Sequence, residues 1–199
     1  MPPKEMGKED RRNEILMAAI EAFAEKGYDG TSMDEIVKRT GLSKGTLYWH
    51  FKNKHDLLLA VIDSAMNGMI ELTKHIAAQD LPASDRLRAI FQESIEAFVE
   101  DDSMITLMAN FFFLSTQSEH AQEIMREGYR VFTTEIERVI QEGIDSGEFR
   151  PVDAHMTAIM LMGAGDGIAF QSLLKPDWDL VEVLDVFLNV ALRGLQKEQ

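Results

Sequence analysis

The chain has 199 residues, 45% of them hydrophobic and 27% charged, and contains no cysteine. That length accommodates a small domain plus a second core, and the balance is that of a folded globular chain everywhere except Met1–Lys8. The missing cysteines exclude a disulfide framework and thiolate chemistry, as suits the cytoplasm.

The net charge of −14 is unevenly spread. Residues 1–55 hold ten Lys/Arg against nine Asp/Glu, whereas residues 56–199 hold ten against twenty-five. Within residues 31–55 five bases (Lys38, Arg39, Lys44, Lys52, Lys54) face two acids (Asp34, Glu35). A polyanion is therefore met only by the N-terminal end. Met1–Asp10 is polar and lacks the apolar centre of a secretory signal. The most apolar run, Ala154–Leu174, is broken by Asp166. The stretch from His155 to Asp166 is too short for the ~20 residues a bilayer requires, so it reads as a buried helix and no membrane is a partner.

Helical periodicity runs the length of the chain, and no alternating segment with a hairpin turn suggests a strand. A first helix spans about Lys8–Lys26, with Ile15, Ala19, Ala22 and Phe23 on one face and Gly27 at its end. Ser32 caps a second helix, with Glu35 placed to complete a capping box, and that helix stops at Thr40-Gly41. Ser43 caps a third, through Phe51, and Asn53 a long fourth that reaches about Gln79. A fifth opens at Pro82-Ala83-Ser84 and ends near Asp101. A sixth opens at Asp102 or Ser103 and runs to about Thr116. A seventh covers about Glu119–Asp145, an eighth Asp153–Leu174 ended by Lys175-Pro176, and a ninth Asp177 to about Leu195. The expected architecture is all-α with about nine helices.

The segment Thr31–Lys54, TSMDEIVKRTGLSKGTLYWHFKNK, contains two short helices joined at Thr40-Gly41-Leu42. Gly41 permits the positive φ of a tight interhelical turn. Ile36, Val37, Leu42, Leu47 and Phe51 can pack against the first helix, which turns Ser43, Lys44, Gly45, Thr46, Tyr48 and Trp49 outward. A first turn that is small and polar lets a helix N-terminus approach bases and phosphates. Lys44 can donate to guanine, and Thr46 can reach a base edge or a thymine methyl. Tyr48 and His50 offer donors to phosphate oxygens. Lys54 lies in the first turn of the fourth helix, where the dipole opposes a cation by ~0.3–1 kcal/mol and a bound phosphate would offset that cost.

GLSKGTLYWHFKNKHDLL resembles the DNA-reading signature of the TetR family, and the likeness extends over about residues 9–65. A weaker one covers AGDGIAFQSLLKPD, near Gly163–Asp177. Between them, roughly 66–150, only helix lengths agree. The resemblance implies an all-helical homodimer that represses transcription until a ligand binds. Residues 9–65, with the motif at 32–51, would form the helix-turn-helix DNA-binding domain, and 66–199 the ligand-binding and dimerisation domain. It carries base or phosphate contact to Ser43, Lys44, Gly45, Thr46, Tyr48, Trp49, His50 and Lys54, and backbone positioning to Thr31 and Ser32. Asp34 departs from the pattern, since some members have a base there, so no base contact is expected from it.

Gly163, Gly165 and Gly167 mimic a dinucleotide loop, but position 168 is Ile and no strand precedes it. They read better as close helix approach. A dimer is therefore expected on the eighth and ninth helices, through Gly163, Gly165, Gly167, Leu184, Phe187 and Leu188. Asp166 reads as a core or interface hydrogen bond, and alternatively as a group that orients a ligand. His120 and Glu123 share a face, but two ligands do not make a metal site. No nucleophile, base and orienting group converge, so neither catalysis nor a cofactor is expected.

Twelve Met and eleven Phe are mostly ordinary core, yet together they make adaptable pocket walls. The expected walls are Met66 from the fourth helix, Phe91 and Ile95 from the fifth, and Met108 and Phe112 from the sixth. The seventh adds Met125, Tyr129 and Phe132, and the eighth Met162 and Asp166. The acidic body favours a neutral or cationic hydrophobic effector. The partners expected are an inverted-repeat double-stranded DNA operator, that effector and a second copy. An α-helical enzyme and a helical protein-binding adaptor are the other readings, and neither needs a basic recognition helix.

Overall fold

The computed structural model describes residues 7–99, 102–116, 118–174 and 177–197. Met1–Met6 and the Lys175-Pro176 stop lie outside them. The described residues form nine α-helices and no strand. No described helix is long and apolar enough to cross a membrane.

α1 (Lys8–Gly30) runs regularly to Gly27, whose φ of 70° breaks it before one further turn. The buried Thr31 closes that end: Oγ1 donates to the carbonyls of Ala22 at 2.8 Å and Gly27 at 2.9 Å. α2 (Met33–Thr40) starts at Ser32, which accepts from the Glu35 N–H, and ends at Gly41 in the left-handed region with φ 67°. The Glu35 carboxylate does not complete the capping box; it binds Lys26 and Arg39. α3 (Lys44–His50) is capped by Ser43, α4 (Lys54–Ala77) by Asn53.

α5 (Ala83–Val99) and α6 (Asp102–Ser115) are followed by α7 (Glu119–Asp145), capped by Ser118. α8 (Ala154–Ser172) and α9 (Leu180–Leu195) start at Asp153 and Asp179. In each, the side-chain oxygen accepts an amide proton that the first helical turn cannot satisfy internally. α9 therefore begins three residues later than its sequence suggests, because Asp179 captures the Glu182 N–H at 3.0 Å.

Two apolar cores form. The first gathers Ile15, Ala19, Phe23, Ile36, Leu47, Phe51, Leu57 and Ile62 from α1–α4, with Phe111 of α6 and Ala121 and Met125 of α7. The second gathers Ile76, Leu87, Ile90, Ile136, Val139, Ile140, Phe149, Leu184 and Leu188 from α4, α5 and α7 to α9. α4 reaches both: Met66 belongs to the first core and Ile76, on the same helix, to the second.

Polar contacts pin the far end of the second core. Glu148 accepts from the Ala83 N–H at 2.7 Å and the Ser84 N–H at 2.8 Å, capping α5 from a distant loop. The buried Arg86 donates to Ala77 O at 2.8 Å and Glu142 at 2.6 Å, joining α4, α5 and α7. Gly143 lies at this junction. A Cβ there would stand 2.3 Å from the ring of the fully buried Phe149 and 2.9 Å from Ala83 Cβ. Gly143→Ala should therefore destabilise the fold by ~1–3 kcal/mol, as overpacking does, which denaturant unfolding will measure.

Candidate DNA interface and effector cavity

The recognition helix is held by one apolar side. Leu47 is fully buried, while Tyr48 is 47% and Trp49 65% exposed. Ser43, Lys44 and Gly45 are exposed, and Thr46 and His50 half-buried. Ser43 Oγ accepts the Thr46 N–H at 3.1 Å and shares a 2.9 Å hydrogen bond with the Thr46 hydroxyl. Ser43, Gly45, Thr46, Trp49 and His50 line one concave surface with Lys8 and Arg11 of α1. The sequence reading overlooks these two bases, although Lys8, Arg11 and Arg12 form a basic start to the first helix. Lys8 Nζ lies 4.6 Å from the Trp49 ring centre. Burial, then the charges of Lys8, Arg12 and Arg11, hold the His50 imidazole below its usual range. It is therefore a neutral donor at pH 7 rather than a cation.

Two expected contacts do not fit the geometry. Lys54 does not stand free for phosphate: Nζ donates to Tyr28 O at 2.6 Å and Thr31 O at 2.9 Å, and lies 4.3 Å from the Tyr28 ring centre. The cost of a cation at the α4 N-terminus is offset by the carbonyl end of α1, not by a ligand. Thr31 is buried with its hydroxyl spent on α1, so it braces the motif from within. Ser32 is exposed and caps α2. Lys44 Nζ is 2.7 Å from Asp34, which holds its ammonium above the usual range.

Behind this unit lies a cavity of about 130 Å³. It brings together all ten expected wall residues: Met66, Phe91, Ile95, Met108, Phe112, Met125, Tyr129, Phe132, Met162 and Asp166. Met69, Ser94, Ile105, Ile136, Gly165 and Phe170 also line it and are missed by the sequence reading. Phe170 meets Phe112 with ring centres 5.7 Å apart, a contact between helices remote in sequence. Asp166 Oδ2 accepts from the Tyr129 hydroxyl at 2.5 Å. Burial raises the Asp166 carboxyl above the ordinary carboxylate range, against the pull of that hydrogen bond. Burial and the facing Asp166 charge push the Tyr129 phenol up in turn.

The expected dimer residues separate. Leu184 and Leu188 lie at 1% exposure inside the second core, so they cannot meet a partner. Gly165 faces the cavity: a Cβ there would meet the Phe91 ring at 3.2 Å. Phe187 is half-buried against the second core, Gly167 is half-buried, and Gly163 is exposed. The outward apolar side of α8 and α9 is instead Met156, Ile159, Met160, Val186 and Val190, the last two being 57% and 70% exposed. Among the described residues no three His, Cys, Asp or Glu gather as a metal site; His120 and Glu123 stay an isolated pair.

A helix-turn-helix with an open recognition face, joined by one long helix to an apolar cavity in a second helical body, is the arrangement of a ligand-responsive DNA-binding regulator. Residues 15–61 match the family model described as bacterial regulatory proteins, tetR family, and residues 80–170 the tetracyclin repressor-like C-terminal domain. The chain is 28% identical to the HTH-type transcriptional regulator YfiR of Bacillus subtilis strain 168, over 96% of both chains. The SmeT–triclosan complex, from Stenotrophomonas maltophilia, superposes with a TM-score of 0.78 at 26% identity, covering 94% of this chain and 92% of that one. FadR of Bacillus subtilis in complex with stearoyl-CoA shares the fold, with a TM-score of 0.77 at 23% identity over 92% and 99% of the two chains. The chain belongs to the TetR family and is a transcriptional regulator, not an enzyme.

The raised Asp166 carboxyl has a stability consequence. The folded state binds this proton more tightly than the unfolded state, so the stabilisation grows as pH falls from the raised range to the ordinary one and is absent above it. Asp166→Asn keeps an acceptor for Tyr129 and should raise stability near pH 7. Thermal unfolding of both proteins against pH checks this, the gap narrowing as pH falls.

Proposed function

We propose that this regulator is a cytoplasmic homodimeric repressor that grips an inverted repeat through α3 and the start of α1 and lets go when a hydrophobic effector fills the cavity. The observation that carries this reading is the position of Met66. It lines the cavity on the same helix whose first residue, Lys54, is fastened to the end of α1.

Lys44, Gly45, Thr46 and Tyr48 would face bases and phosphates in the major groove, with Ser43, Trp49, His50, Lys8 and Arg11 on the flanking backbone. Lys54 and Thr31 would hold the motif in place without touching DNA. Seven residues of helix read only a few base pairs, so affinity requires two copies ~34–36 Å apart or a multiple of that. The outward side of α8 and α9 suits an isologous four-helix contact, with Gly163 allowing close approach. The relatives' ligands named above, triclosan and stearoyl-CoA, both have apolar bodies, as the Met- and Phe-rich wall requires. An effector moves DNA affinity only through unequal affinity for the two states; a hundredfold difference corresponds to ~2.7 kcal/mol.

Gel shifts on DNA flanking the protein's own gene test the reading. Lys44→Ala with Tyr48→Ala should abolish specific binding. Asp34→Asn frees Lys44 from its ion pair and should tighten binding severalfold, with a steeper salt dependence. Met160→Glu with Val190→Glu should leave a folded monomer in sedimentation that no longer binds. Full operator affinity in the Lys44/Tyr48 double variant would overturn the α3 assignment.

A further inference from the structure

The chemistry of the cavity wall narrows the effector class, an inference that rests on the effector reading above. Among the described wall residues Asp166 is the only acid, and none is Lys, Arg or His. The rest is thioether, aliphatic and aromatic surface, with Ser94 and Tyr129 as the polar exceptions. Among the described residues, the sole hydrogen-bond partner of the carboxylate is the Tyr129 hydroxyl.

A carboxylate in such a place is costly to keep ionised, because a single neutral donor replaces only part of its hydration. A neutral apolar ligand would strip the remaining water and deepen that cost. An anion would add repulsion at short range and low dielectric. A cation reverses both effects, since its charge compensates the carboxylate where water cannot. The rings of Phe91, Phe112, Phe132 and Phe170 supply negative faces for the remainder of an ammonium head. Residues 56–199, with ten basic and twenty-five acidic side chains, raise the local concentration of cations.

We propose that the cavity selects lipophilic cations, a tertiary or quaternary ammonium on an apolar body, with Asp166 as counter-ion. The cation would sit beside Phe112, whose chain neighbour Phe111 is fully buried in the N-terminal core. Occupancy is thereby felt by the DNA-reading unit.

The test uses a matched pair of probes on the full chain: benzyltrimethylammonium and its uncharged carbon isostere neopentylbenzene, with phenylmethanesulfonate as the anion. Ligand-detected NMR titration reads affinity, and gel shift reads DNA release. Wild type should bind the cation at least tenfold more tightly than the isostere, and the anion least. Asp166→Asn should cost the cation at least tenfold and should not weaken the isostere, whereas a merely structural role would weaken both. Tyr129→Phe, which removes the carboxylate's neutral partner, should tighten cation binding severalfold and keeps the proposal testable if the Asp166 variant does not fold. Equal affinity for cation and isostere, or an unchanged cation affinity in Asp166→Asn, overturns the proposal. If the isostere or the anion binds best and releases DNA, the effector reading stands and the cation inference falls. If none of the three binds, both fall.

Discussion

The Lys54 ammonium sits among the carbonyls that end α1, and the placing of the recognition helix follows from that contact. A lysine at the start of a helix is electrostatically misplaced, and carbonyls at the end of another helix are short of donors. Bringing the two together removes both problems and fixes α4 against α1 at one point. Thr31, bonded to Ala22 and Gly27, closes the same corner from inside. α2 and α3 are then suspended between two anchored helices, with Leu47 and Phe51 buried beneath them.

Because α4 is continuous from Lys54 to Ala77, the corner at one end is mechanically joined to the cavity at Met66. α6 makes a second connection, with Phe111 in the N-terminal core and Phe112 in the cavity wall. Neighbouring residues on one helix cannot move independently, so under the proposed function a ligand in the cavity would act on the packing that seats α3. Close-packed cores respond to such displacement by shifting between discrete arrangements rather than yielding locally.

α8 illustrates how three demands are met on one apolar helix. Ala158 and Leu161 enter the second core, Met162, Gly165 and Asp166 face the cavity, and Met156, Ile159 and Met160 are exposed on the outer side. A helix apolar all round has no preferred face of its own. Neighbouring helices therefore decide which residue serves which purpose. Asp166 belongs to the cavity side, where burial makes its charge costly and Tyr129 is its hydrogen-bond partner.

The helices, their caps and the outward face of the recognition helix were legible in the sequence, because each rests on neighbours within four residues. Ser32, Ser43 and Asn53 cap the amides just ahead of them, and Gly27 and Gly41 break or end helices through their own φ. The cavity wall was legible too, since large apolar residues at helical spacing beside one buried acid converge when helices pack. What depends on a partner far along the chain was not. Lys54 reads as a phosphate ligand until α1, some twenty-five residues earlier, presents its carbonyls. Leu184 and Leu188 read as interface until α5 and α8 pack against α9, and Gly165 until Phe91 closes on it. Local hydrogen bonds and φ preferences determine which segments become helices; only the packing of those helices decides which face of each meets a core, a ligand or another molecule.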